Sequence, residues 1–476
     1  MKRVANIVNS KKARLGTVNE RRIKNLVKAE SKGPVVYWMN RDQRVQDNWA
    51  LLHAQSLAIR NQNSLIIAFC LADEYLFPLR QTAFMLRGLD LVRDELIKLN
   101  IDFCFLKGNP VDEILNLMEK IDSDTLVTDF CPLRTEREWI SELEKKLTQK
   151  GNVGMDLVDA HNIVPCWIAS DKQEVGARTI RKKLWSHSNE FLEEFPLVEA
   201  HPFKGNFSFD DFSVDHLLKS LEIERSISEV KWIKAGHAAA MQHLDSFLSS
   251  GIKKYAKERN IPFRNSTSGL SPWLHFGQLS PQRCILNAIK CEKENKNSEI
   301  KEGIDSFIEE LFIRRELSDN FCFYNPKYDS VSGAASWAKE TLRIHSKDKR
   351  EYIYSDSELE KGQTHDTLWN AAQFELVKKG KMHGFMRMYW AKKILEWTKS
   401  PEDALEIAIR FNDKYSLDGS DPNGFVGCMW SICGVHDQGW KEREIFGKIR
   451  FMNWNGCKTK FKLEGINKYI EYANKL

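Results

Sequence analysis

Residues Lys381 to Trp397 read Lys-Met-His-Gly-Phe-Met-Arg-Met-Tyr-Trp-Ala-Lys-Lys-Ile-Leu-Glu-Trp, which sets Trp390 and Trp397 seven positions apart, with Arg387 and Met388 just upstream. On a helix that spacing is two turns along one face, about 10 Å of axis. Tryptophans so placed can pack a core or pass electrons. A second tryptophan-bearing segment, Gly362-Gln-Thr-His-Asp-Thr-Leu-Trp-Asn-Ala-Ala-Gln, brings Trp369 close in sequence.

Three further segments carry chemically capable groups. The first runs from Tyr255 through Arg259 and Asn260 to Thr267-Ser268-Gly269-Leu270-Ser271 and Pro272. Its Ser-Pro pair is a helix-start signature, serine as N-cap and proline at the first helical position. Free N–H groups and hydroxyls there make an anion site, or the segment is an ordinary capped helix. The second, Phe307-Ile-Glu-Glu-Leu-Phe-Ile-Arg-Arg-Glu-Leu, puts Glu310 and Arg314 four apart, so that they can pair on one face. Its apolar neighbours point to a buried, functional pair. The third runs from Asn412 through Asp418-Gly419-Ser420-Asp421 and Asn423 to Trp430 and on to His436-Asp437-Gln438. Turn chemistry explains much of it. Carboxamides and carboxylates crowded beside large aromatics also suit a polar heterocycle, whose edge needs hydrogen bonds and whose faces need flat neighbours. There is no Ser-His-Asp set and no P-loop. Cys428 and Cys433 lack histidines at ligand spacing, so no metal is expected. The chemistry is expected to come from a bound organic cofactor.

These groups need elements to hold them. From Pro34 onward, apolar strands (Val35–Met39, Ser64–Cys70, Phe103–Leu106, Thr125–Asp129, Asp156–Asp159) alternate with helical stretches such as Trp49–Arg60, Gln81–Leu99 and Glu136–Gln149. This rhythm predicts a five-stranded parallel sheet with helices on both faces. The first turn, Asn40 to Asp47, has no glycine, which disfavours a nicotinamide dehydrogenase. The long mixed segment from His161 to about Lys234 marks a domain boundary. The expected organisation is a basic arm over 1–33, an α/β domain over 34–160, a connection over 161–235 and an all-α domain over 236–476. The ten cysteines are scattered through apolar runs, as in reduced cytosolic proteins. No apolar run is long enough to span a bilayer, and the first residues do not read as a signal peptide. Residues 1–32 hold ten Lys/Arg against Glu20 and Glu30, a balance of +8, which leaves 5 − 8 = −3 for the rest. The arm is either a solubilising tail or a contact for phosphates or a localisation receptor.

Five strings carry a resemblance: Val-Val-Tyr-Trp-Met-Asn-Arg-Asp-Gln-Arg-Val-Gln-Asp-Asn-Trp-Ala (35–50), Thr-Asp-Phe-Cys-Pro-Leu-Arg (128–134), Asp-Ala-His-Asn-Ile-Val-Pro-Cys-Trp (159–167), Leu-Ser-Pro-Trp-Leu-His-Phe-Gly-Gln (270–278) and the run from Gly380 to Trp397. Over about Pro34 to Phe461 the chain resembles the class II cyclobutane pyrimidine dimer photolyases. The resemblance implies a Rossmann-like first domain and an all-α domain that binds FAD, reduced in its active state. A second, antenna chromophore of deazaflavin, folate or flavin type would lie near Tyr37–Asn40 and Phe130–Arg134. By position, Tyr255, Thr267, Ser268, Gly269, Leu270 and Ser271 would hold the FAD phosphates. Arg387, Asp418 and Gly419 would lie by the isoalloxazine and ribityl, and Asn412 would face flavin N5, with Asn423 as second choice. Trp390, Trp369 and Trp397 match the family's electron chain in that order outward, with Tyr354 as a branch. Glu310, Met388 and Trp430 match the pocket for the flipped dimer, and Arg259 and Asn260 the loop that fills the hole left in the duplex.

The implied reaction is light-driven: excited FADH⁻ gives one electron to the dimer in UV-damaged DNA, the ring opens, and the electron returns. Glu310, if protonated in an apolar site, would hydrogen-bond a thymine carbonyl. Two residues depart from the family pattern, Arg314 where some members carry tryptophan and Gln438 where arginine is common. Both bear on affinity for damaged DNA. The rival readings are a cryptochrome-like photoreceptor without repair activity and a non-catalytic binder of damaged DNA. The first often carries a long C-terminal extension, whereas this chain ends at Leu476, soon after Trp454. A monomer is expected, in the cytoplasm or nucleoid, or in the nucleus of a eukaryote.

Overall fold

The computed structural model describes residues 18–73, 77–209 and 213–476. Strands β1 (Ile23–Val27), β2 (Val35–Trp38), β3 (Leu65–Leu71), β4 (Asp102–Lys107), β5 (Thr125–Asp129) and β6 (Gly154–Val158) form one sheet in the order β1-β6-β5-β2-β3-β4. Every residue of β2, β3 and β5 is buried, as expected of central strands covered by helices on both faces; β2 and β3 are continuous apolar runs, and β5 adds two threonines and Asp129 to its apolar pair. Helix Trp49–Arg60 packs on β2, β3 and β5, and helix Arg134–Lys150 on β1 and β6. The five expected parallel strands are present within two residues of their expected ends.

The sixth strand is a correction. Residues 1–17 of the basic arm lie outside the described residues, but β1 falls within the rest of it and pairs antiparallel with β6, Ile23 opposite Val158. It is mostly half-exposed, and Lys24 and Asn25 interrupt its apolar residues Ile23, Leu26 and Val27. Just before it, Arg22 is fully buried and donates to the carbonyls of Asn162 (3.0 Å), Ile163 (2.7 Å) and Phe191 (2.9 Å). A residue that composition counts as arm charge is an internal tie.

At the carboxyl end of β5, Asp129 accepts from the Tyr37 hydroxyl (2.7 Å) and from the backbone N–H groups of Asn40, Arg41 and Asp42 (2.9, 3.0 and 3.1 Å). Burial, and then the Asp42 carboxylate, hold Asp129 above the ordinary carboxylate range. The expected antenna-side residues Tyr37 and Asn40 are thus buried in a network that fixes the first turn.

Contacts divide the chain into two compact units: the described residues of Met1–Asp171 with Lys182–Leu248 and Leu270–Asn295, and Lys172–Arg181 with Ser249–Gly269 and Lys296–Leu476. Helices His237–Ser246, Ser271–His275 and Pro281–Glu294, which composition assigns to the helical half, therefore belong with the sheet. Specific ties explain this. Arg283 is bonded to Asp47 at 2.7 Å, and the Arg44 guanidinium donates to the Gly277 carbonyl at 2.8 Å. Gly277 has φ +62, and a Cβ there would stand 2.1 Å from the Arg41 carbonyl oxygen.

The second unit is helical. Asp366 caps helix Thr367–Lys379 by accepting from the N–H groups of Leu368 and Trp369, both at 3.0 Å, and Gly380 ends it in the left-handed region. Helices Pro401–Tyr415 and Pro422–Cys433 begin with Ser400-Pro401 and Asp421-Pro422, cap and proline together.

Gly277→Ala would bring both an unfavourable φ and a backbone clash. We expect it to destabilise the first unit by at least about 2 kcal/mol, seen as an earlier thermal transition; an unchanged transition would refute the close-approach account.

Candidate functional site

Helix Gly384–Trp397 is the centre of the second unit. Trp390 and Trp397, both 1% exposed, do not touch along it; Trp369 from the neighbouring helix, fully buried, lies between them. Trp369 stacks on Trp390 with planes 7° apart and centroids 6.5 Å apart, and meets Trp397 edge-on at 5.6 Å. The Trp390 indole N–H donates to Gln373 Oε1 (2.8 Å), and that of Trp369 to the Trp390 carbonyl (3.0 Å). Tyr354 continues the row, its ring 5.5 Å from Trp397. His365 and Tyr352 also join it, and sequence reading missed both because neither falls on a periodic face.

The same helix turns Met388 into a cavity of about 1270 Å³. Asn260, Arg314 and Trp430 line it too, so four of the expected DNA-side residues meet there. Glu310 and Arg259 do not line it; they pair with each other at 2.9 Å. The expected Glu310–Arg314 pair is absent, and both side chains are partly exposed, at 37% and 48%. The reason is local geometry. Residues Glu309–Arg314 form a π-helix, which brings i and i+5 together in place of i and i+4. Arg314 accordingly donates to Glu309 Oε1 (3.1 Å), which also receives Arg181 (2.7 Å).

Five cations, Arg178, Arg181, Arg314, Arg450 and Lys460, line the cavity. Arg450 is bidentate to Asp437 (2.8 and 2.9 Å) and lies 4.1 Å over Trp440. It supplies a guanidinium beside Gln438, the position where the family's arginine is missing. No sequence signal pointed to it. Burial, and then the Arg314 charge, push His436 down to about 4, so its ring is neutral near pH 7. Behind Trp430, the fully buried Lys392 donates to the Ser431 carbonyl (2.8 Å), its ammonium 4.8 Å from the Trp430 ring. Burial lowers it from 10.5 to about 7.

The expected cofactor-side residues fall into clusters. Arg387 faces Asp418 at 3.9 Å, and burial lowers nearby Lys381 to about 8 against the pull of Asp418. Asn412 is buried, donates to Asp413 Oδ1 (2.9 Å), and sits where a Cβ on Gly424 would come within 2.8 Å of its amide nitrogen. Gly419 packs on the Asp413 backbone with no room for a side chain. Asn423 is exposed and turns back to Asp421 (2.9 Å). Tyr255 lies in another cluster, edge-on to Phe307 at 5.9 Å and under the Arg259 guanidinium at 5.8 Å. Thr267, Ser268 and Gly269 form a half-buried loop in the second unit, whereas Leu270 and Ser271 open the short helix Ser271–His275 of the first. Ser271 is not its N-cap; Leu270 is, and the Ser-Pro start occurs instead at Ser280-Pro281. Among the described residues no His/Cys/Asp/Glu group could hold a metal ion, and no helix is long and apolar enough to cross a membrane.

Residues 35–200 match the DNA photolyase family. The chain is 51% identical to a Potorous tridactylus protein named deoxyribodipyrimidine photo-lyase, over 92% of this chain and 81% of that one. An Arabidopsis thaliana protein of the same name is 49% identical over 93% and 89%. A solved Synechocystis cryptochrome shares the fold at TM-score 0.74 and 15% identity, over 94% of this chain and 89% of that one. The chain belongs to the deoxyribodipyrimidine photo-lyase family.

The family implies a flavin, and the donor set fits one. Asp418 has the cations Arg387 and Lys381 near it, an excess of positive charge suited to an anionic cofactor. Beside it, Asn412 offers a buried carboxamide for a ring edge. At Gly384 and Gly427 a Cβ would meet nothing within 4 Å, so both positions front open space.

The buried Lys392 gives a pH signature. Its folded pKa lies below its unfolded one, so the unfolded chain holds the extra proton between these values and stability rises with pH there. Lys392→Met should therefore raise the melting temperature most below about pH 7 and least near about pH 10.5. Calorimetry across that range checks this, and a gap independent of pH would reject it.

Proposed function

We propose that this chain repairs cyclobutane pyrimidine dimers in UV-damaged DNA, using light absorbed by FAD held in reduced form in the second unit. The observation that carries the reading is that one helix turns Met388 into a wide cationic cavity and Trp390 into a buried row of rings. That juxtaposition suits a cofactor served by DNA on one side and an electron supply on the other. Relatives at about 50% identity, named photo-lyases, favour it over the photoreceptor reading; the fold, shared with a cryptochrome, favours neither.

When bound, the reduced flavin supplies one electron to the lesion on illumination and takes it back. The protein's part is position and charge. Arg387, Lys381, Asp418 and Asn412 hold the ring system, and Tyr255 with the Thr267–Gly269 loop holds the phosphates. A flipped dimer, whose damaged stacking lowers the extrusion cost, lies against Trp430 and Met388. Arg314 and Arg450 take its phosphates, and Arg259 with Asn260 fills the gap left in the duplex. Glu310, outside the cavity wall, pairs with Arg259 at 2.9 Å and so positions that loop beside Asn260.

The direct test mixes reduced protein with dimer-containing DNA: loss of dimers in light and none in the dark is expected, and loss in neither favours a sensor or a passive binder. Trp390→Phe should leave a folded flavoprotein that cannot be photoreduced, and full-rate photoreduction would reject the assigned row. Arg314→Gln should weaken damaged-DNA binding and make the slope of log K against log salt shallower by about one; an unchanged slope would remove Arg314 from the phosphate contacts.

A further inference from the structure

The ring row does not stop at Trp397. Two loop side chains close on its outer end, Tyr354 at 5.5 Å and His365 at 5.3 Å between centroids. They are joined to each other, Tyr354 Oη to His365 Nδ1 at 2.6 Å, while the same oxygen accepts the His365 backbone N–H at 3.0 Å. Tyr352, 40% exposed, stacks on the imidazole at 3.9 Å and extends the path to solvent. Tyr354 is tied to the row through its backbone N–H, which donates to the Trp397 carbonyl at 3.2 Å.

We propose that His365 is the proton acceptor that makes Tyr354 the terminal electron donor of the tryptophan row, with Tyr352 as the face open to a soluble one-electron reductant. The inference rests on the reading of the row as an electron path. A phenol gives up an electron readily only if its proton has somewhere to go, and a hydrogen-bonded imidazole nitrogen is such a place. Local charge favours the transfer. The Lys393 ammonium lies 5.4 Å from the Trp397 ring, so a radical cation there is repelled, an effect that Glu396, paired to Lys393 at 2.7 Å, reduces.

The step balances. Withdrawal of one electron inward, through Trp369 and then Trp390, by a photoexcited oxidised flavin as the one-electron oxidant would leave Trp397 a radical cation. Tyr354 gives Trp397 one electron, its O–H bond breaks, and the proton passes to His365 Nδ1. The products are neutral Trp397, a neutral tyrosyl radical and an imidazolium. A thiol-class donor in solution then returns one electron to Tyr354, and the proton goes back from His365 to the phenolate oxygen.

The test is time-resolved absorption and electron paramagnetic resonance on the oxidised flavin-loaded protein after a light pulse, with His365→Gln and Tyr354→Phe compared. Glutamine can accept a hydrogen bond but is no base. In the unaltered protein the tryptophan radical cation should decay into a tyrosyl signal, more slowly in D₂O. In His365→Gln the tyrosyl yield should fall at least about tenfold, with the tryptophan radical persisting and the solvent isotope effect lost. Tyr354→Phe should abolish the tyrosyl signal while leaving that of tryptophan. A tyrosyl signal at full yield in His365→Gln, or a tryptophan radical that decays without one in the unaltered protein, overturns the proposal and leaves the electron path standing. Absence of any tryptophan radical overturns both.

Discussion

An indole N–H removed from water is costly to leave without an acceptor, and the second unit supplies one to both Trp390 and Trp369. Gln373 accepts from Trp390 and in turn donates to the Glu360 carbonyl at 3.0 Å. The Glu360 carboxylate receives the Tyr415 hydroxyl at 2.7 Å. Four helices, Gly384–Trp397, Thr367–Lys379, Asp356–Glu360 and Pro401–Tyr415, are thus registered by one line of hydrogen bonds. Because Trp369 must reach the carbonyl of Trp390, the two rings are held nearly parallel. Packing alone would place two large aromatics in contact; the bonds decide their angle.

The cavity beside this row shows a second economy. Its arginines are held by carboxylates that cannot neutralise them all. Glu309 receives both Arg181 and Arg314, and Asp437 fixes Arg450 from two sides. Arg181, Arg314 and Arg450 are oriented in this way, and with Arg178 and Lys460 beside them the wall remains cationic. Lys392 shows the other limit, an ammonium behind the aromatic wall whose charge burial suppresses. Oriented charge at the wall and discouraged charge behind it form a field directed at the cavity contents.

What the sequence disclosed follows from how each feature is encoded. The central strands β2 and β3 are legible because burial on both faces needs continuous apolar runs, and they have them; β5, Thr-Leu-Val-Thr-Asp, is read from its β-branched residues and its place in the alternation. The edge strand β1 is not, since one exposed face and basic residues resemble a tail; Arg22 in particular hides a buried tie under a surface-type side chain. The members of the row Trp390–Trp369–Trp397 could be listed from residue type and spacing, whereas its order, with Trp369 between the other two, came only from the family resemblance, because it depends on how two helices lie together. Arg450 and Arg181 reach the cavity from distant segments and leave no local trace. The expected Glu310–Arg314 pair failed because helical spacing was assumed where the backbone takes a wider turn.

That wider turn has a consequence for how this chain can vary. A π-turn holds one residue more than the α-turn it replaces. Deleting one residue between Glu309 and Arg314 would let the segment close as an ordinary α-turn and leave helix Arg315–Tyr324, buried from Arg315 to Cys322, in phase with the core. What such a deletion removes is the approach of Glu309 and Arg314 across five positions. A deletion inside helix Arg315–Tyr324 itself has no spare residue to absorb it, and would advance everything after it by about 1.5 Å and rotate it by about 100°. The wider turn is thus the place in this helix where a change of length is most easily taken up.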